Sequence, residues 1–150
     1  MFKIKDHNVN LLLIGRIATN VADSLFYITI LWYFKTVFHS PMILSLVFIA
    51  DSTIDMCAFI FGPLIDRIYI KNLLKYVTLG QVALSIIATI LFYFKNLEQL
   101  ILVLLLLTYV LSTIGSTLIY PAEEKILPAI INKDKLTKVN GLFQLTYRIL

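Results

Sequence analysis

Four apolar runs decide what this chain can become: Leu11–Phe34, Pro41–Leu64, Leu73–Phe94 and Leu100–Tyr120. At about 1.5 Å of rise per residue, about 20 residues cross the roughly 30 Å hydrocarbon core of a bilayer. Backbone N–H and C=O groups in lipid must be paired within the segment, so each run is predicted to be a membrane-spanning helix. A fifth run starts near Val139 and reaches Leu150 with no cap, stop or polar tail. We read the 139–150 segment as a helix cut short, and the chain as an N-terminal piece of a longer protein. Composition agrees with a bilayer setting: the 150 residues are 59% hydrophobic and 15% charged, against roughly 25% charged in a soluble domain. The expected fold class is an all-α membrane protein.

The first run is too long for a signal sequence, and no small-residue cleavage pattern follows it. The lone Cys57 sits inside the second run, where no internal disulfide is possible and a small packing role fits. A net charge of +4 is not a nucleic-acid signal here, because its distribution follows the loops. With the N-terminus in the cytoplasm, Lys3, Lys5, Arg67, Lys71, Lys75, Lys125, Lys133, Lys135 and Lys138 fall inside, and only Lys35 and Lys95 fall outside. That bias argues for a cytoplasmic N-terminus in a multi-pass protein of the cell membrane. Trp32 and Tyr33 then mark the outer interface. The links at Lys35–Ser40 and Lys95–Gln99 are short, which makes the helices they join antiparallel neighbours. Pro121 is expected to end or kink the fourth helix. Ala122–Leu127 reads as a short interfacial helix broken by Pro128, and Asn132–Lys135 as a solvated turn. Ser112, Gly115 and Ser116 permit close helix approach.

Ionisable residues at membrane depth cost about 2.5–3.5 kcal/mol on insertion scales and point to function. The runs contain Arg16, Asp23, Asp51, Asp55 and Arg148. Arg16, Asn20, Asp23 and Tyr27 share one helical face, and Asp51 and Asp55 share another. From the rise per residue, Asp23 lies roughly 18 Å from the cytoplasmic edge, Asp55 roughly 15 Å, Asp51 roughly 21 Å and Arg148 roughly 13 Å. Two readings stand. Carboxylates near the midplane of a partly dry cavity can load and release protons and attract cations. Alternatively, Arg16 or Arg148 neutralises an aspartate and ties helices together. His7 and His39 fall on opposite sides of the membrane, without a partner at metal-ligand spacing, so no metal is expected. No P-loop and no nucleophile–base pattern is present, so neither a cofactor nor an enzymatic activity is expected.

The segment Gly62-Pro63-Leu64-Ile65-Asp66-Arg67, followed by Lys71, resembles motif A of the major facilitator superfamily, which reads roughly G-x-L-a-D-r-x-G-r-r/k. Tyr69 stands at the second glycine and Ile70 at one basic position. Gly15-Arg16, Asp23–Tyr27 and Leu31-Trp32 are similar to helix 1 of the macrolide-efflux-like branch. Pro121-Ala122, Ile126-Leu127-Pro128, Leu136 and Val139–Leu142 are similar to its helix 4–5 segment. The resemblance implies the N-terminal part of a twelve-helix fold built from inverted repeats around a midplane site. It implies that Asp66 meets a helix N-terminus in the other, missing half. It also implies that Arg67 and Lys71 latch the cytoplasmic gate and that Gly62 allows close packing. The glycine- and proline-rich continuation of helix 5 that marks family antiporters would begin past Leu150.

The function expected from residues and resemblance together is proton-coupled efflux of a small amphipathic or cationic molecule. Its partners would be the bilayer, the substrate, a proton and the missing half. Asp23, Asp55 and Asp51 are the candidates for coupling or substrate contact, with Arg16, Asn20, Tyr27 and Arg148 beside them. The rival is a non-transporting membrane protein of four or five helices, of immunity or scaffold type.

Overall fold

The computed structural model describes residues 7–93 and 98–130, together with 137, 139–141, 144 and 145. The ordered elements are α1 (His7–Phe38), α2 (Pro41–Arg67), α3 (Ile70–Tyr93) and α4 (Glu98–Ile130). These four helices are long and apolar enough to cross a membrane, as in a multi-pass membrane protein. Within the expected fifth run, the described residues 139–141, 144 and 145 are helical. Arg148, the solvated turn around 132–135 and the 94–97 link lie outside the described residues.

The helices are longer than the apolar runs, because polar ends extend past a bilayer without breaking the backbone ladder. The α1–α2 link shrinks to His39 and Ser40. His39 turns the chain with a left-handed φ of 48°, a conformation for which His is among the enriched residues. Pro41 then opens α2 at a position where its missing N–H is not needed. The motif segment Gly62–Arg67 is likewise helix, for α2 runs through Gly62 and Pro63 to Arg67. Only Ile68 and Tyr69 break the helix, and the Tyr69 carbonyl accepts the Asn72 and Leu73 N–H groups at 3.0 and 3.1 Å to start α3.

Helix α4 corrects a second expectation. Pro121 and Pro128 both lie inside it, and the separate Ala122–Leu127 helix does not form. Proline removes one ladder bond, but packing holds the continuation in place: Ala122, Glu123 and Leu127 are all buried. Leu127 joins Val9 and Val139 in a small cluster at that end. At the opposite end, Ile30, Phe34, Val47, Ala88, Ile101, Leu105 and Tyr109 form the main apolar core. Tyr33 turns inward onto Phe92, with ring centroids 4.7 Å apart, so of the expected interface pair only Trp32 stays exposed. Exposed apolar side chains such as Ile14, Ile28, Met56 and Phe59 cover the outside, as lipid contact requires.

The most extensive interface joins α3 to α4, and small residues make it. A Cβ on Gly115 would lie 3.3 Å from Val77 Cγ1 and 3.5 Å from Gln81 Cγ. Gly62, by contrast, has nothing within 4 Å of its Cβ position among the described residues, so the close packing implied for it does not occur there. Replacing Gly115 with Leu should therefore overpack the α3–α4 seam and cost about 1–3 kcal/mol. Gly62→Ala should gain about 0.5–1 kcal/mol, since Gly inside a helix is unfavourable. Denaturant unfolding of the purified protein in detergent checks both signs.

Candidate functional site

The polar stripe of α1 faces a matching stripe on α4. Tyr109, Ser112, Thr113, Ser116, Tyr120 and Glu123 recur at helical spacing and lie on one face. Arg16 on α1 is buried and forms an ion pair with buried Glu123. Its guanidinium also lies over the Tyr120 ring, 4.5 Å from the centroid. About two turns further along α1, Asp23 accepts a 2.8 Å hydrogen bond from the Ser116 hydroxyl. Gln81 of α3 donates to Ser116 at 2.8 Å and reaches the other Asp23 oxygen at 3.5 Å. Sequence separation falls from 107 for Arg16–Glu123 to 93 for Asp23–Ser116, so α1 and α4 run antiparallel.

Helix α2 meets the same face of α4 in the parallel sense. The Tyr109 hydroxyl donates to Asp51 at 2.5 Å across a separation of 58 residues. Lys125 donates to Asp66 at 2.6 Å across 59. Lys125 also lies 3.4 Å from the Ile65 carbonyl, at the C-terminal end of α2, where a cation is favoured by the helix dipole. The nearly equal separations show that both contacts belong to one parallel register.

Between α1, α2 and α4 lies a cleft with two adjoining parts. The larger, about 530 Å³, is bordered by Arg16, Asn20, Asp23, Asp55 and Glu123. The smaller, about 310 Å³, is bordered by Asp23, Tyr27, Asp51 and Tyr109. Asp23, Ser24, Thr113 and Ser116 are common to both walls. The structure thus brings Arg16, Asn20, Asp23, Tyr27, Asp51 and Asp55 to one cleft, while Arg148 lies outside the described residues.

Several expectations change at this point. The partner of Arg16 is Glu123, not an aspartate. Asp66, expected to await a helix in another half, already has Lys125. Arg67 and Lys71 are exposed and form no ion pair among the described residues. Glu123, Tyr109, Ser116, Gln81 and Lys125 were absent from the sequence-level site. Continuing the α4 spacing through Pro121 would have found Glu123, but nothing in the sequence alone singles out Gln81.

The chain matches no protein-family model, no curated protein and no solved structure. The family resemblance therefore rests on the sequence pattern alone.

Breaking one partner of a buried ion pair leaves the other charge stranded, at about 3–5 kcal/mol. Arg16→Leu and Glu123→Leu should each destabilise the fold by that amount, and the double variant should recover most of the loss. Lys125→Ala removes an exposed pair and should cost less than about 1 kcal/mol. Denaturant unfolding of the four variants reads these values, with Arg16 and Glu123 forming a double-mutant cycle.

Proposed function

We propose that the protein is a secondary active transporter, driven by the proton gradient, that exports a small amphipathic or cationic molecule. The observation that supports this most is the cleft of about 530 Å³ with Asp23 and Asp55 on its walls, mid-way along helices of membrane-spanning length. Carboxylates are retained at such a depth where they handle ions or solutes. The coupling carboxylates in this reading are Asp55, exposed on the cleft wall with no hydrogen-bond partner among the described residues, and Asp23, held by Ser116 and Gln81.

In this reading the chain contributes the first helices of a twelve-helix transporter of the major facilitator type, with its N-terminus in the cytoplasm of the cell. The other half closes the cleft. Arg16 and Glu123 brace its cytoplasmic end. Lys125 and Asp66 pin α2 to α4 there, and the exposed Arg67 and Lys71 serve the gate between halves.

The test uses the full-length protein in energised vesicles loaded with a fluorescent cationic dye. Asp23→Asn and Asp55→Asn should each bring gradient-driven export down to the level of protein-free vesicles. Wild-type export rates from both variants would overturn the coupling assignment. No export by the unaltered protein would favour the non-transporting rival.

A further inference from the structure

We propose that the smaller part of the cleft is a subsite for an organic ammonium group, walled by Phe26, Tyr27 and Tyr109 and closed by Asp51. The proposal rests on the transport reading for the cation to be cargo, but binding itself is independent of transport.

Tyr109 anchors the wall. It is buried, its hydroxyl is committed to Asp51 at 2.5 Å, and its ring therefore has one orientation. Phe26 stacks on it with centroids 6.4 Å apart and an interplanar angle of 18°. Tyr27 leans against it at 6.1 Å and 34°. The Tyr27 hydroxyl has no hydrogen-bond partner among the described residues. These rings border a space of about 310 Å³ that also receives Asp23 and Asp51. No Lys or Arg borders it among the described residues, and Arg16 is engaged by Glu123 in the larger part of the cleft.

That chemistry selects one kind of ligand. Two carboxylates without a basic neighbour in a low-dielectric setting favour a positive charge. Aromatic faces attract a cation within about 6 Å of a ring centroid, and such cages recognise quaternary ammonium groups. A small inorganic cation would need several oxygen ligands to replace its water, as the six to eight that Ca²⁺ takes illustrate. Rings offer none. An alkylated ammonium spreads its charge over apolar carbon, loses little hydration and uses both the carboxylates and the ring faces of Phe26, Tyr27 and Tyr109.

The test measures equilibrium binding of radiolabelled benzyltrimethylammonium to the full-length protein in nanodiscs, with neopentylbenzene as an uncharged competitor of the same shape. We expect saturable binding that neopentylbenzene does not displace. Asp51→Asn should weaken it about tenfold or more, and Tyr27→Leu about threefold to thirtyfold. Tyr27→Phe, which keeps the ring, should bind more tightly than Tyr27→Leu, and circular dichroism of each variant shows whether it still folds. Absence of saturable binding, equal competition by neopentylbenzene, or affinities within twofold of wild type for both Asp51→Asn and Tyr27→Leu would each overturn the subsite. Failure of the two readings is distinguishable. Export that needs Asp23 and Asp55, with cation binding indifferent to Tyr27 and Asp51, removes the subsite alone. Cage-dependent binding without export removes the transport reading alone.

Discussion

A charge inside a bilayer needs a partner, and in this bundle the partners come from α4. Arg16 finds Glu123, Asp23 finds Ser116, Asp51 finds Tyr109, and Asp66 finds Lys125 at the helix end. Apolar burial gives little drive to pair lipid-immersed helices, because lipid tails are as apolar as the side chains they compete with, so polar pairs join close packing in fixing the register. The falling separations between α1 and α4 and the nearly constant ones between α2 and α4 are signatures of one antiparallel and one parallel register. Helix α4 is therefore the axis to which the others are indexed, and it has to continue past Pro121 to deliver Glu123 and Lys125.

The same arrangement divides the polar residues into two kinds. Arg16 and Glu123 satisfy each other in a buried site, and their role is to hold α1 on α4. Asp55 is left open to the cleft, while Asp51 and Asp23 each have a hydrogen bond from a neutral group instead of a counter-charge. A hydroxyl offsets a carboxylate's burial only in part. Structure and proposed chemistry meet at that difference.

Much of this was legible in the residues and some was not. The apolar runs located all four described helices because length and hydropathy act locally. The stripe Arg16, Asn20, Asp23 and Tyr27 reached the cleft as its spacing required. Pro121, expected to end or kink α4, does not end it, since tertiary burial of Ala122 and Leu127 outweighs one lost ladder bond. The partner of Arg16 was missed for the same reason. Gly62 was assigned a packing role by resemblance, whereas the close approach belongs to Gly115 against Val77. Gln81 could not be found at all, because a lone glutamine in an apolar helix carries no spacing signal until another helix is laid against it.

The central claim is that the α1–α4 face lines a water-accessible cleft while the opposite faces meet lipid. Cysteine accessibility tests it most directly, in a Cys57→Ala background, with a membrane-impermeant methanethiosulfonate reagent applied to the full-length protein in its membrane. Single cysteines at Asn20, Ser24, Thr113 and Thr117, which border the cleft, should label. Cysteines at Ile14, Ile28, Leu107 and Leu111, which are exposed and apolar, should stay protected. Protection at every cleft position, or labelling that ignores the two faces, would contradict the account.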